Sequence, residues 1–538
     1  MIMIFDFSNF LLPYFRGFMS NSLFYVLLIN FVLICMLFAI NRRDVTAPFK
    51  KIRKHAWLVF IIILILGSYM RFSSPGCSNQ TGVCFNYVKT ATEMLENQYV
   101  RDLGHPKAYS LLMAIGFFFF GQNYSVVYYF NLVMSSLTIL MVFLLAYVLF
   151  KREDAALFSA LVYSLFPMPI IFAKLNASEV TAVFFFTLTV LVYLISLDLN
   201  KRNMYILFAL LAVFSLSVRT DATTFFLLFA AGFFLNRRKL KLKELRIPIA
   251  VFLLFMIPAS YYYMVGYDIY GPLRDPHYNE RPYVASPAYI VTNVQKHLSD
   301  NLTASKFYPP ILYFFLLFSL LFLRKERGVL YLSLLAAGFF LFFGLWWMTI
   351  YNSTQLYQLQ LQPTLAVLMG YGIARAKDHI DGIVENRGLL KITPAIRYSG
   401  ILVTLFLIAL VFQAYTNVFA PKAGNDCLIE SIIYLGNKYI GDNDCLLFEN
   451  THSDVFNAFP VDAMKILLPD KNISTSSLAA CGNKQAFYLS VDQTICPHTL
   501  FGFEKPVLKT LENKYAMKVL EKKGCITLYK IEGNETAN

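Results

Sequence analysis

Apolar stretches long enough to cross a lipid bilayer recur along almost the whole chain. An α-helix needs about 20 mostly apolar residues to cross the ~30 Å hydrocarbon core of a membrane. Such stretches occur at 22–40, 57–72, 125–150, 155–172, 179–197, 247–264, 309–323, 329–347, 359–376 and 399–418. Two shorter ones, 204–217 and 222–235, flank Arg219 and Asp221. Only 15% of the residues are charged, against about 25% in soluble domains. The sequence therefore predicts an all-α polytopic membrane protein with about twelve transmembrane helices.

The basic residues indicate the orientation of these helices. Lysine and arginine collect in loops on the cytoplasmic side of a membrane. Basic clusters occur at 42–54, 151–152, 201–202, 237–246, 324–327 and 375–397. With twelve spans, all of these clusters lie on one side, and both chain ends lie on the other. The net charge of +14 is then mostly an orientation signal, so we expect no nucleic-acid partner.

Glycosylation sequons and cysteines fall on the opposite side from the basic clusters. The seven Asn-x-Ser/Thr sequons begin at Asn79, Asn123, Asn176, Asn301, Asn352, Asn472 and Asn534. Seven of the eight cysteines lie on the same side, and only Cys35 lies in a span. Because disulfides form in oxidising compartments, we expect a Cys77–Cys84 disulfide. In the tail we expect Cys427–Cys445 and Cys481–Cys496, with Cys525 left over.

Three regions are predicted to organise the chain. Residues 1–56 form a retained anchor span and a cytoplasmic basic loop. Residues 57–418 form the transmembrane domain, with long outer loops at 72–124 and 266–307. Within the first loop we expect an amphipathic helix at 85–99 and an interfacial helix at 107–121. Residues 419–538 alternate predicted strands and helices, which favours a small extracytoplasmic α/β domain.

Arg219 and Asp221 form the most informative local feature. The two stretches that flank them are too short to cross the membrane, so their connection should lie below the outer surface. Ionisable groups at membrane depth are costly and often functional, and arginine suits a phosphate. The alternative is that Arg219 only pairs with Asp221 or reaches the interface. Glu179 lies at the start of the fifth span, where stabilisation by the helix dipole alone explains a carboxylate. The alternative is that Glu179 faces an outer cavity at membrane level, together with Arg219.

The first outer loop supplies candidates for acid–base chemistry. Asp102 lies at a break between two helices, where a fixed carboxylate is able to act as a general base. Glu93 lies three residues before Glu96, so both share one helix face, and a solvated face is the simpler interpretation. His105 is a further candidate for substrate contact. The chain has no zinc-type cysteine spacing, and a divalent cation is left open as a cofactor.

Several segments in order resemble the GT-C superfamily of polyprenyl-phosphate-sugar glycosyltransferases, especially the branch of protein O-mannosyltransferases and the lipid A aminoarabinose transferase. The resemblance covers roughly 57–376. It is carried by YMRF at 69–72, the run NYVKTATEMLENQYVRDLGHPKAYSLLMAIGFFFFG at 86–121, ALVYSLFPMPIIFAKLNASE at 160–179, SVRTD at 217–221 and QLYQLQLQPTLAVLMGYGI at 355–373.

One departure from the family concerns the catalytic residue. The family places a catalytic aspartate about four residues before the tyrosine matched by Tyr87. Here that stretch reads Gly82-Val83-Cys84-Phe85-Asn86 and has no carboxylate. Either another acid such as Asp102 or Glu93 serves, or the alignment has slipped, or the chain has lost activity.

The resemblance implies a membrane glycosyltransferase of the hexosyl- or pentosyltransferase type. A polyprenyl-phosphate-linked sugar would be the donor, and a protein or glycolipid would be the acceptor. The site would lie on the extracytoplasmic face of a plasma membrane or an ER-like membrane, in contact with membrane lipid. Arg219 would hold the donor phosphate, helped by Arg101, Lys107 or Arg281. A non-catalytic scaffold or assembly protein is the alternative, and a lipid-linked-sugar transporter is a third possibility.

Overall fold

The described residues of the computed structural model form sixteen α-helices, three short 3-10 helices and five strands. The described residues are 22–73, 82–97, 107–174, 178–219, 222, 224–236, 242–270, 291, 295, 310–346, 358–386, 409, 428–441, 444–447, 468, 471–474, 484–491, 515–523 and 526–532. The helices before the tail are α1 (Ser22–Ile40), α2 (Arg42–Thr46), α3 (Lys54–Ser73), α4 (Gly82–Asn97), α5 (Ala108–Phe120), α6 (Tyr124–Phe150), α7 (Glu153–Leu165), α8 (Pro167–Ile171), α9 (Ser178–Leu199), α10 (Arg202–Val218), α11 (Phe225–Leu235), α12 (Leu242–Tyr270), α13 (Pro310–Leu320), α14 (Arg327–Trp346) and α15 (Gln362–Asn386).

The apolar stretches form helices where the described residues cover them, but fewer satisfy the length and hydropathy expected of a span. Helices α1, α3, α6 and α9 do so, and a fifth is reached if α7 and residues 167–174 count as one bent span. Helices α5 and α10 are shorter apolar helices. The predicted span 399–418 lies outside the described residues, apart from 409. The count of twelve spans stays a prediction.

The predicted span 155–172 is broken rather than continuous. Helix α7 ends at Leu165, and the chain turns by 55° before residues 167–174. Pro167 causes the break because it has no backbone N–H to offer the carbonyl of Tyr163. The fully buried guanidinium of Arg71 replaces the missing donors, since it donates to the carbonyl oxygens of Tyr163 (3.3 Å) and Ser164 (3.0 Å). A side chain from α3 therefore caps the end of α7.

Close backbone contact joins α15 to α7. A Cβ atom added to Gly370 would lie 2.3 Å from Oγ and 2.4 Å from the backbone nitrogen of Ser159. The hydroxyl of Ser159 donates to the carbonyl of Ala155 within its own helix, at 2.7 Å. The two helices can approach this closely because one of them carries only a hydrogen atom at the contact.

The predicted cytoplasmic loops converge at one end of the helix bundle. Ion pairs connect the loop before α3 to the start of α7 (Arg53–Glu153, 2.6 Å) and the start of α7 to α15 (Arg152–Asp378, 2.5 Å). A third joins α15 to the turn before α14 (Arg375–Glu326, 2.5 Å). These loops lie far apart in the sequence, so the ion pairs show that alternate connections share one end of the bundle.

The tail contains a mixed five-stranded sheet with one helix packed beside it. Helix α16 (Leu428–Tyr439) precedes β1 (Cys445–Leu447), β2 (Asn472–Ser474), β3 (Ala486–Val491), β4 (Met517–Lys523) and β5 (Ile526–Ile531). The strand order is β2-β1-β3-β5-β4, with β1 parallel to its neighbours and the β3–β5–β4 part antiparallel. The short strand β2 was not predicted, and the predicted helices at 453–466 and 506–514 lie outside the described residues. The boundaries of the three predicted regions stay predictions.

Cys445 on β1 is disulfide-bonded. Its partner lies outside the described side chains, so the expected Cys427–Cys445 pairing stays a prediction. Cys77 of the expected Cys77–Cys84 disulfide also lies outside the described residues.

Candidate functional site

A buried ion pair joins the short helix α10 to the start of α9. Arg219 follows the last residue of α10 in an extended conformation (φ −153°, ψ 138°), and its N–H donates to the carbonyl of Ser215 at 2.9 Å. Its guanidinium Nη1 donates to Oε1 of Glu179, in the first turn of α9. The side chains are only 14% and 9% exposed. The structure therefore brings together two of the residues that the sequence analysis singled out.

The structure gives Arg219 a partner that the sequence analysis did not consider. The alternative pairing with Asp221 is not tested, because Asp221 lies outside the described residues. Glu179 lies 40 positions earlier in the chain and reaches Arg219 because α9 and α10 pack side by side. The helix dipole favours a carboxylate in the first turn of α9, and the guanidinium adds a direct charge-assisted hydrogen bond.

Helix α4 meets the same end of α9 through two hydroxyl groups. Ser178, directly before Glu179, donates its hydroxyl to the phenol oxygen of Tyr87 at 3.1 Å. Tyr87 is 5% exposed and lies on α4. The first outer loop is thus packed against the helix end that carries the ion pair, and Tyr87 is the tyrosine that carries the family resemblance.

A second set of hydrogen bonds continues from Tyr87 into the bundle. The ring of Tyr87 meets that of Tyr109 edge to face, with centroids 5.1 Å apart. Asn131 donates from Nδ2 to the phenol of Tyr109 at 2.8 Å, and Thr181 donates to Oδ1 of Asn131 at 2.9 Å. Asn131 lies seven residues after the start of α6, about 10 Å along the helix at 1.5 Å per residue. A polar cluster therefore extends below the end of the bundle.

The predicted interfacial helix at 107–121 is enclosed to a greater extent than expected. Residues 108–114 of α5 are all buried, whereas Phe118, Phe119 and Phe120 are exposed. Lys107, directly before α5, is 2% exposed. The hydrogen bond between the Tyr109 phenol and the buried Asn131 contributes to this burial, because a buried tyrosine hydroxyl requires a polar partner.

The remaining candidate residues are only partly described. Asp102, His105 and Arg281 lie outside the described residues. Glu93 lies half-buried on α4, and Glu96 is exposed and accepts a long hydrogen bond from Gln122 (3.4 Å). In the described part of the chain, no three His, Cys, Asp or Glu side chains gather as metal ligands. The divalent cation that the sequence analysis left open as a cofactor is not tested by these residues.

Two buried cations escaped the sequence analysis. Arg71 caps α7, and its Nε donates to the hydroxyl of Ser135 at 2.9 Å. Lys174 is 7% exposed, with its ammonium 5.0 Å from the ring centroid of Tyr128 and 5.7 Å from that of Phe72. Each cation lies near a predicted span end, where lysine and arginine usually reach toward water. Pro167 was the available signal for a broken helix with carbonyls that need a donor.

Comparisons with known proteins give one family match and several similar folds. Residues 104–263 match the family model of dolichyl-phosphate-mannose-protein mannosyltransferases, a segment that contains both Glu179 and Arg219. No curated protein sequence matches the chain.

Among solved structures, ArnT from Cupriavidus metallidurans bound to undecaprenyl phosphate is similar, with a TM-score of 0.53 and 14% identity over 89% of this chain and 98% of ArnT. The oligosaccharyltransferase of Archaeoglobus fulgidus tethered to an acceptor peptide is also similar. Its TM-score is 0.50, with 10% identity over 90% of this chain and 74% of that one.

These likenesses extend over nearly the whole chain, whereas the family match covers its central helices. The mostly helical architecture and the matched segment agree with the resemblance in the motifs at 86–121, 160–179 and 217–221. Residues 104–263 therefore resemble dolichyl-phosphate-mannose-protein mannosyltransferases, and the fold of the chain is similar to the folds of ArnT and the archaeal oligosaccharyltransferase.

Proposed function

We propose that the chain transfers a sugar from a polyprenyl-phosphate donor to an acceptor at the extracytoplasmic face of its membrane. The observation that carries this proposal is the buried Arg219–Glu179 pair, which lies where the first outer loop meets the transmembrane helices. A lipid donor keeps its tail in the bilayer, so its phosphate must be bound near the membrane surface by the protein itself.

Arg219 is suited to hold the phosphate of the donor. A guanidinium keeps its charge when buried and donates two parallel hydrogen bonds to phosphate oxygens. The same charge stabilises the negative charge that develops on the leaving phosphate. Lys107 (buried) and Arg281 are further candidates for this role, and Asp221 and His105 for contacts with the sugar.

Deprotonation of the acceptor requires a carboxylate close to the sugar. Asp102 and Glu93 are the candidates in the first outer loop. The contact between Tyr87 and Ser178 supports a location of this loop beside Arg219. ArnT is solved with undecaprenyl phosphate and the archaeal enzyme with an acceptor peptide, which favours a lipid-linked donor and an acceptor hydroxyl or amide here.

The disulfide and the ion pairs support an outer location of the site. Cys445 in the tail is disulfide-bonded, which suits an oxidising compartment. The basic loops meet at the end of the bundle defined by Arg152 and Asp378, and the polar cluster around Glu179 lies toward the other end of α6 and α9. With the basic loops in the cytoplasm, Arg219 faces the outside.

A non-catalytic GT-C-like scaffold or assembly protein is the second candidate function. It is favoured by the segment Gly82–Asn86, which carries no carboxylate where the family has its catalytic aspartate.

Substitution of Arg219 tests the proposal. Arg219→Ala should lower sugar transfer from membrane polyprenyl-phosphate sugars about 100-fold or more, because it removes a charge-assisted phosphate contact. Arg219→Lys should recover part of the activity, since lysine keeps the charge but not the paired donors. Arg375→Ala, which removes an ion pair at the other end of the bundle, serves as the matched control. Full transfer by Arg219→Ala would contradict a role in donor binding, and no transfer by the unaltered protein would favour the scaffold.

A further inference from the structure

Glu179 is the only buried acidic side chain among the residues that the structure describes. It is 7% exposed, whereas Glu93 is half-buried and Glu96 exposed. Burial of a carboxylate is costly unless it is paired or hydrogen-bonded. A carboxylate enclosed at this depth is therefore a candidate for chemistry as well as for structure.

Glu179 also adjoins the contact between α9 and Tyr87, the tyrosine that the family's catalytic acid precedes. The family resemblance expects an acid about four residues before Tyr87, one helical turn away on the same face of α4. The hydroxyl of Tyr87 contacts Ser178 at 3.1 Å, and Glu179 is the next residue. Helix α9 thus carries a carboxylate one residue from its contact with Tyr87, whereas the stretch 82–86 before Tyr87 has none.

In the structure, Glu179 is hydrogen-bonded to the guanidinium of Arg219, the group proposed to bind the donor phosphate. Its Oε1 accepts from Nη1 of Arg219. A carboxylate and a phosphate compete for the same guanidinium donors because each offers a pair of anionic oxygens to the two parallel N–H groups of an arginine. The arrival of a donor phosphate at Arg219 would therefore release Glu179 from its partner.

We propose that Glu179 has two successive roles: it occupies Arg219 while the site is empty, and it becomes the general base when the donor phosphate displaces it. This inference rests on the proposed function. It replaces Asp102 and Glu93 as the base and supplies the missing carboxylate from a different helix.

The resulting transfer is balanced without any further reactant. The displaced carboxylate of Glu179 takes the proton from the acceptor hydroxyl or amide, and the acceptor atom forms a bond to the anomeric carbon of the sugar. The bond from that carbon to the phosphate oxygen breaks, and its electron pair stays on the phosphate. Arg219 holds the polyprenyl phosphate that leaves with the additional negative charge. After its departure, Glu179 releases the proton to water and pairs with Arg219 again.

Binding of a polyprenyl phosphate distinguishes this exchange from a purely structural ion pair. If Glu179 competes with the lipid phosphate for Arg219, only the fraction of molecules in which Arg219 is unpaired can bind the phosphate. The apparent affinity for the lipid is reduced by that fraction. Glu179→Gln should therefore bind undecaprenyl phosphate or dolichyl phosphate about tenfold more tightly than the unaltered protein, measured in detergent micelles by native mass spectrometry. A structural pair predicts the opposite sign, since its loss would disorder Arg219 and weaken binding.

The controls separate the inference from the function on which it rests. Glu326→Gln breaks the Arg375–Glu326 pair at the other end of the bundle and should leave affinity unchanged. If Glu179→Gln binds with unchanged or lower affinity, displacement at Arg219 is wrong. If neither the unaltered protein nor any variant binds a polyprenyl phosphate, the proposed function itself fails.

Transfer measurements test the role as base. Glu179→Gln should reduce transfer at saturating donor about 100-fold or more, even though it binds the lipid phosphate more tightly. Glu96→Gln changes an exposed acid of α4 that has no proposed role in the reaction, and it should retain transfer within about threefold. Full activity of Glu179→Gln would return the role of base to the first outer loop.

Discussion

At the residue scale, Arg71 shows how a charge is accommodated inside the bundle. It is 0% exposed, and its described acceptors are neutral: the hydroxyl of Ser135 and the carbonyls of Gly67, Tyr163 and Ser164. Two of these carbonyls lie at the end of α7, where Pro167 interrupts the helix. The guanidinium therefore satisfies backbone groups that the break leaves without helical partners.

Arg71→Leu should destabilise the protein strongly. Each buried acceptor that loses its donor costs about 1–3 kcal/mol, so we expect a loss of several kcal/mol, measured as thermal unfolding in detergent micelles. Arg202→Leu removes a 41%-exposed arginine that pairs with Glu244 and should cost less than about 1 kcal/mol. Equal stability of the two variants would show that the cap at α7 contributes little.

At the element scale, contact between α7 and α15 depends on a glycine rather than on large apolar side chains. The Cβ of a larger residue at Gly370 would overlap backbone atoms of Ser159 on α7. The equivalent atom at Gly116 of α5 would lie 3.0 Å from a methyl carbon of Val126, the end of a side chain. The two glycines therefore have different tolerance for the same added methyl group.

Gly370→Ala should lower the stability by about 1–3 kcal/mol, because the backbone of α7 cannot move aside without separating the helices. Gly116→Ala should be close to neutral, since strain against Val126 is offset by a gain in helix propensity of about 1 kcal/mol. Thermal unfolding of both variants gives the comparison. A neutral Gly370→Ala would mean that α15 shifts without loss of packing.

At the scale of the whole molecule, ion pairs gather the basic loops at one end of the bundle. Arg53, Arg152 and Arg375 each pair with an acid from a different connection. Lys201 pairs with Asp44 in the same way, at 2.7 Å. This convergence agrees with alternate loops on one side, as the distribution of lysine and arginine predicts.

Cysteine labelling tests the predicted orientation. A cysteine introduced at Lys239, in the basic segment between α11 and α12, should react with a membrane-impermeant maleimide only after the membrane is opened. The background is Cys35→Ser, which removes the free thiol of α1. A cysteine at Asn123, which is exposed before α6, should react in intact cells. Outside labelling at position 239 would invert the topology and move Arg219 to the cytoplasmic face.

The amino-acid sequence alone indicated the class of protein, the positions of most helices and the family that residues 104–263 resemble. Apolar stretches report directly on helices in a membrane, since nothing else satisfies the backbone there. The alternation of strand and helix patterns after residue 418 located α16 and four strands of the tail. It singled out Arg219 and Glu179 individually, because ionisable residues at span ends stand out against an apolar background.

Only the tertiary structure decided which of these residues meet. The pairing of Arg219 with Glu179 and the contact of Tyr87 with Ser178 depend on how α4, α9 and α10 pack, and these residues lie 40 and 91 positions apart. The break of α7 and the capping by Arg71 likewise required the path of α3 past Pro167. Local pattern sets each helix, whereas side-chain contacts between helices depend on packing angles and depth, which no single stretch of sequence encodes.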